Sequence, residues 1–324
     1  MTSLFRTGLP AYAMVAGLLF LAGLPVLAVW ADNIFLIDLY LRLMILAIAA
    51  VSLNLILGYG GMVSFGHAAY LVIGAYAVGI PAYYGIYDGF LQFAIAILAS
   101  AAIALVTGAI ALRTKGVYFI MITMAFAQMV FFTFVSIEEY GGDDGLVIDA
   151  RSEFAGLLDI NDNFTLYYFV LASLILALGL VHRIVHSRFG MVISGSKGND
   201  RRMQAIGFPT YRYRLASYVI SGAICGYAGA LLGNFTNFIT PEMGDWVRSG
   251  ELIFMVVLGG AGSLFGPVLG TAVFVLLEEY LSRLTQYWHF PFGAMLILVV
   301  IFTRGGINGM FRWLGERIGM GARS

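Results

Sequence analysis

The chain has 324 residues, 60% of them hydrophobic and 11% charged, with a mean hydropathy of +0.90 and no net charge. A soluble domain of this length needs far more charge to cover its surface, and a neutral balance offers no bulk attraction to nucleic acid. The single cysteine, Cys225, excludes an intrachain disulfide and a cysteine-based metal cluster.

A hydrocarbon core of about 30 Å needs about 20 apolar residues per helix. In chain order the pattern predicts spans at 9–30, 39–57, 64–84, 90–112, 116–137, 164–185, 213–236, 251–261, 264–282 and 288–303. The first is too long for a signal peptide and lacks a clean small-residue cleavage site, so it reads as a retained span. The expected fold is an all-α polytopic membrane protein of about ten segments, forming one domain over 1–324.

Charge orients these spans. Arg6 precedes the first, and Arg113 and Lys115 fall between the fourth and fifth. The 138–163 loop holds eight acids, Asp143 and Asp144 among them, against Arg151 alone. The 183–214 loop is basic, with Arg183, Arg188, Lys197, Arg201, Arg202, Arg212 and Arg214 against Asp200. Arg304, Arg312, Arg317 and Arg323 follow the last span. By parity every basic cluster lands on one face. The positive-inside rule makes that face cytoplasmic, with both termini, and puts the acidic loop outside.

Two glycine-rich breaks interrupt the apolar pattern in corresponding places of the two halves. Gly58-Tyr59-Gly60-Gly61-Met62-Val63-Ser64-Phe65-Gly66-His67 is the first, and Gly259-Gly260-Ala261-Gly262-Ser263-Leu264-Phe265-Gly266-Pro267 the second. Matching interruptions point to an internal repeat and a translocation path, although so short a match leaves coincidence open. Asn54, Gly60, Gly61, Ser64, His67, Gly259, Gly260 and Ser263 are the candidate path residues. His67 is an intramembrane ionisable group, a functional candidate by default; the competing reading is a structural histidine bonded to freed carbonyls. Asn54, Thr123 and Gln128 either line the path or tie helices together. Glu278 and Glu279 read as a solvated helix end.

No P-loop is present: Gly195-Ser196-Lys197-Gly198 lacks the spacing. Any ATP must therefore bind another chain, and no cofactor is expected here. Ser64 and His67 lack a third, orienting group for nucleophilic catalysis, and the histidines are not spaced with carboxylates as a metal site requires. An enzyme is not the expectation. In the basic loop, Asn199 or Asp200 is placed to cap a short helix through Ile206, ended by Gly207 and Pro209. With Met203 and Ile206 on one face ringed by arginines, that helix suits a groove on another protein. The alternative is a loop that only sets topology or touches anionic lipid.

Four stretches then carry a resemblance. They are Ser52-Leu53-Asn54 through Gly66-His67; Gly141-Gly142 with Gly145-Leu146; Ser187-Arg188-Phe189-Gly190 through Ala205-Ile206-Gly207; and Gly259-Gly260 through Gly270. In this order the chain resembles permease subunits of ABC importers of the branched-chain amino acid type, the LivM family. The resemblance implies a second, similar permease, two cytoplasmic ATP-binding subunits, a periplasmic solute-binding protein and a place in a bacterial inner membrane. It makes Arg188, Phe189, Gly190, Arg201, Arg202, Ala205 and Gly207 the coupling site for an ATPase. Between these motif residues, Gly195 and Gly198 stand where relatives carry a helix rich in alanine; each would weaken a helix by roughly 1 kcal/mol. Asp143 and Asp144, in a glycine-rich outer turn, read either as turn chemistry or as a docking site for the extracytoplasmic partner, the solute-binding protein. The implied solute is a branched-chain or related amino acid, with urea, amides or aromatic acids as alternatives in the same family. A secondary transporter working alone is the rival outside it.

Overall fold

The computed structural model describes residues 17–25, 35–154, 160–287, 289–302 and 306. Among them run helices α1 (17–25), α2 (Phe35–Asn54), α3 (His67–Tyr83), α4 (Gly89–Ala111), α5 (Val117–Val135) and α6 (Asn163–Val185). They are followed by α7 (Arg188–Ala205), α8 (Thr210–Thr236), α9 (Trp246–Gly259), α10 (Gly266–Leu284) and α11 (His289–Phe302). A π-helical turn, Leu55–Tyr59, extends α2. Five of these stretches are long and apolar enough to cross a membrane: Phe35–Tyr59, Gly89–Ala111, Val117–Val135, Asn163–Val185 and Thr210–Thr236; His67–Tyr83 is a shorter apolar helix. The architecture is that of a multi-pass, all-helical membrane protein. Part of the expected first span, Arg6 and the arginines of the C-terminal tail lie outside the described residues.

Helix starts follow local chemistry. Asp88, Asp162, Ser187 and Asp245 each accept a bond from a backbone N–H of the first turn of α4, α6, α7 and α9, as N-cap residues do. Gly259 ends α9, and Gly260, at φ 110°, takes the chain out of it. At the start of α10, Pro267 sits where its missing N–H costs nothing.

The core is built on α2, which is almost wholly buried from Leu41 to Asn54, while α5 buries only Phe119, Thr123 and Ala127. Lipid gives no hydrophobic drive between helices, so close approach through small residues must hold the bundle together. A methyl added at Gly74 of α3 would strike the Gly226 backbone of α8, and one at Gly229 would strike the Leu71 carbonyl. Gly222 leaves the same kind of space for Ala104 of α4, whose Cβ would lie 2.6 Å from an added methyl. Between α2 and α10, Arg42 donates to Glu278 at 2.8 Å. Glu278 is therefore not a solvated helix end: its side chain is 16% exposed and held by a partner from another helix. Glu279 accepts from Arg283, one turn on, at 2.8 Å.

Contacts sort the connections into two ends. At one, Tyr84 donates to Glu139 at 3.0 Å, Gly89 N–H to the Glu153 carbonyl at 2.7 Å, and strand β1 (Leu146–Val147) pairs antiparallel with β2 (Phe238–Ile239). This end holds the acidic loop. Arg151, its single base, donates to the carbonyls of Ile160 and Asn161 and to Asn163 Oδ1. At the other end, Lys115 from the α4–α5 turn meets Asp200 of α7 at 2.6 Å. The basic segments between α4 and α5 and between α6 and α8 thus share one end, as charge parity requires.

Candidate functional site

The first break begins where the π turn at Leu55–Tyr59 runs out. Gly61 N–H still donates to the Leu57 carbonyl at 3.1 Å and Met62 N–H to Ile56 at 2.9 Å. From Gly61 to Ser64 the backbone has no regular structure, and α3 restarts at His67. Irregular backbone at this depth needs partners from the protein or a wet cavity, and side chains provide several of them. Phe65 N–H donates to Thr123 Oγ1 at 3.2 Å, Gly66 N–H to Ser64 Oγ at 3.3 Å, and Ala68 N–H to Ser249 Oγ at 2.9 Å. Ser64 is buried, whereas Gly61 is exposed and Val63 and Phe65 are half-buried. Gly61, Met62 and Val63 border a cleft of about 210 Å³ shared with Thr114, Lys115 and Arg214.

The second break lies against the first. Asn54 Nδ2 donates to the Ser263 carbonyl at 2.8 Å, and Asn54 Oδ1 accepts from Gly262 N–H at 2.9 Å. One buried amide therefore satisfies both polarities of the opposite turn. Gly58 fits beside it only as glycine, since an added methyl would overlap Asn54 Oδ1 and the Gly262 backbone. The second break is also closed on itself. Ser263 Oγ donates to the Gly260 carbonyl at 2.8 Å and accepts from Gly266 N–H at 3.1 Å. Gly259, Gly266 and Gly270 pack backbone on backbone, with no room for a methyl at any of them.

His67 is fully buried near mid-depth, because its partner Ser221 lies near the middle of α8. Its Nε2 is 3.0 Å from Ser52 Oγ and 3.2 Å from Ser221 Oγ. Both hydroxyls already donate, Ser52 to the Ala49 carbonyl at 2.6 Å and Ser221 to the Ser52 carbonyl. Hence Nε2 carries the hydrogen and donates to both oxygens, and the imidazole ties α2, α3 and α8 together. Thr123 and Gln128 are ties as well: Gln128 Nε2 donates to Asp245 Oδ1 at 2.7 Å.

The basic segment folds as two helical pieces joined at Asn199, whose φ of −155° and ψ of 97° break α7. Asn199 Oδ1 accepts from Arg202 N–H at 3.0 Å and caps the second piece, as the sequence suggests. That piece ends at Ile206, with Gly207 at φ 99°. The first piece, with its two glycines, is helical nonetheless. Gly195 has a packing reason: an added methyl would lie 2.9 Å from Met203 Sδ, so its absence lets the second piece fold back on the first. Arg201, Arg202, Ala205 and Ile206 are exposed, while Gly190 packs under the Ile184 and Val185 carbonyls. Phe189 is half-buried, 5.5 Å between ring centroids from Tyr213.

Sequence reasoning did not find the contacts that fasten this hairpin. Lys197 Nζ donates to the Gly58 carbonyl at 2.7 Å. Asp200 Oδ2 accepts from Lys115 at 2.6 Å and Oδ1 faces Arg214 at 3.8 Å. Burial alone would raise the Asp200 carboxyl, but bonds from Lys115 and Thr210 and the Arg214 charge hold it below the ordinary carboxylate value. A lone acid amid seven bases was the available signal for this pairing. For Lys197 there was none, because its partner is a carbonyl 139 residues away.

At the acidic end, Asp143 and Asp144 are exposed on a 3₁₀ turn between three glycines of positive φ, Gly141, Gly142 and Gly145. Turn geometry thus accounts for the glycine pattern there.

Against known proteins, residues 35–300 match the family described as branched-chain amino acid transport system / permease component. The chain is 28% identical over 322 residues to the high-affinity branched-chain amino acid transport system permease protein LivM of Escherichia coli (strain K12), covering 91% of this chain and 75% of that one. It is 27% identical to LivM of Salmonella typhimurium, covering 85% and 70%. LivH of the same Escherichia coli strain is 27% identical, covering 81% of this chain and 91% of the relative. No solved structure matches. With the family match extending over most of its length, the chain belongs to the permease components of the branched-chain amino acid transport system family.

Proposed function

We propose that this chain is one of two transmembrane subunits of an ATP-driven importer for branched-chain amino acids in a bacterial inner membrane. The observation that carries the reading is convergence. The exposed basic hairpin, the first break and, through Asn54, the second break form one connected unit that runs inward from the basic end of the bundle. An ATP-binding subunit docking at Arg188, Phe189, Arg201, Arg202, Ala205 and Gly207, with Gly190 packed beneath them, would act on a hairpin bonded to the first break. Similarity to both LivM and LivH supports a pair of related permeases. The exposed side of α5, with an apolar groove of about 730 Å³ around Gln128, Met129 and Phe132, offers a surface for the second.

In this reading the basic end is cytoplasmic, with both termini, and two ATP-binding subunits dock there. Asp143 and Asp144, on the opposite face, receive the solute-binding protein. The solute passes along the two breaks, where Gly61, next to the buried Gly60, borders the cleft and Gly259, Gly260 and Ser263 form the facing turn. Asn54, Ser64 and His67 shape the path from behind, held by bonds from the Asn54 amide, the Ser64 hydroxyl and His67 Nε2 to other parts of the chain. Alternating access then follows as ATP-driven closure displaces α7 and the breaks yield.

Uptake of labelled leucine into proteoliposomes tests this, with the full complex, with the ATP-binding subunits omitted, and with ATP omitted. Uptake is expected only with all components. Uptake by the permeases alone would establish a secondary transporter instead. Competition by valine and isoleucine but not urea separates the amino acid reading from its alternatives.

A further inference from the structure

The docking reading says where force would enter, but not how it would reach the breaks. The kink of α7 at Asn199 is bracketed by two polar contacts to different parts of the bundle. On its far side, Asp200 is tied to Lys115 and faces Arg214, which also donates to the Ser196 carbonyl at 3.1 Å. These contacts hold the kink to the α4–α5 turn and to α8. On its near side, Lys197 reaches the end of the π turn that opens the first break.

The acceptor there is poorly provided for. Gly58 is among the last residues of the helical stretch, where carbonyls have no intrahelical donor. The two N–H groups that continue the turn, those of Gly61 and Met62, go to Leu57 and Ile56 instead. A cation is favourable at such a carbonyl, both as a donor and as a charge at the negative end of a helix. The lysine stem is seated as well as its head. A methyl at Gly61, itself at φ 68°, would lie 2.8 Å from Lys197 Cγ. Gly58 in turn touches the second break, so the lysine reaches both breaks through one carbonyl.

We infer that Lys197 is the positioning residue that transmits displacement of α7 to the first break, through its bond to the Gly58 carbonyl. The inference rests on the importer reading above and adds a specific route to it. When the second piece of α7 is pushed, the kink levers about the Asp200–Lys115 contact. Lys197 then pulls on, or releases, the end of α2. Without the ammonium the hairpin still docks, because the docking residues lie elsewhere on α7, but its movement no longer reaches the break.

The test uses the full complex in proteoliposomes, with leucine-loaded binding protein as the probe. Lys197→Met keeps the aliphatic stem and removes the donor. Its complex is expected to assemble in unchanged stoichiometry and to hydrolyse ATP within about twofold of the parent, while leucine uptake falls about tenfold. Lys197→Arg, which restores a charged donor, is expected to recover most of the uptake. The inference is overturned if Lys197→Met transports normally, if uptake and hydrolysis fall in equal proportion, if the complex does not assemble, or if arginine fails to rescue. Failure of the importer reading looks different: the unsubstituted complex itself would show no ATP-dependent uptake.

Discussion

The two glycine-rich breaks look alike as strings of letters and behave differently as structures. The second is a tight turn closed by Ser263, with three glycine backbones pressed together behind it. The first is an open, irregular stretch with an exposed Gly61, held by side chains from α5, α7 and α9. The second is fastened mostly by its own Ser263, with Asn54 as the neighbour that reaches it, and the first mostly by its neighbours. A self-fastened turn is suited to serve as a pivot, whereas a stretch held from several sides moves when any of those neighbours moves. Asn54 joins them, so that motion in the open break is referred to the closed one.

Substitutions can break this contrast, and the largest effect is expected in the pivot. A methyl at Gly259 would overlap the Gly266 carbonyl, and backbone on both sides leaves nothing flexible to yield. Gly259→Ala should cost about 3 kcal/mol or more, read as loss of folded protein in detergent. A thermal midpoint equal to the parent's would mean that the turn is as pliable as the first break. Next comes the link. Asn54→Leu keeps the volume and strands the Gly262 N–H and the Ser263 carbonyl, for a loss of about 2 kcal/mol. Accelerated hydrogen exchange should appear in both breaks together; exchange confined to one would show that they are not joined here.

The serines give a smaller and sharper comparison. Ser263 makes bonds of 2.8 and 3.1 Å within its turn, whereas Ser64 makes longer ones of 3.3 and 3.4 Å, to Gly66 N–H and the Tyr218 hydroxyl. Ser263→Ala is expected to destabilise by about 1 kcal/mol more than Ser64→Ala. Equal losses in thermal unfolding would remove the distinction between self-fastened and neighbour-fastened turns.

The smallest effect concerns pH. Asp200 anchors the hairpin that holds the first break, and its carboxyl is lowered in the folded state. Such a group adds stability that is complete above the unfolded value of about 3.9 and is lost as pH falls through the lowered one. The parent's thermal midpoint should therefore owe nothing to this group's titration between about pH 5 and pH 8, and lose its contribution only in stronger acid. Asp200→Asn should start lower at neutral pH and lose less on acidification. A variant as acid-sensitive as the parent would assign the acid loss to other carboxylates.

Much of this arrangement was legible in the letters. Charge parity grouped the basic segments between α4 and α5 and between α6 and α8 at one end, because positive residues in short connections set the orientation of the spans. The spans after the first are matched by helices whose ends shift by a few residues, since hydrophobic length is a coarse ruler and caps set the true boundary. Asn199 was readable as a cap from its place before a short amphipathic run. What escaped was every contact between distant residues. Nothing near Asn54 says that its amide faces a turn 208 residues on, or that Lys197 seeks a carbonyl on another helix. His67 could be named as unusual but not understood, because its donor role depends on which carbonyls Ser52 and Ser221 have already chosen. The glycines of α7 suggested a weak helix, yet one of them makes room for Met203.

The Arg42–Glu278 pair has a consequence for biogenesis. The arginine leaves the ribosome 236 residues ahead of its partner. At ordinary elongation rates that interval is about 10–50 s. Throughout it, the Arg42 guanidinium lacks Glu278 and is left to reach toward the headgroups. The ion pair that fastens the central helix to α10 can therefore form only after α10 has been made, late in synthesis.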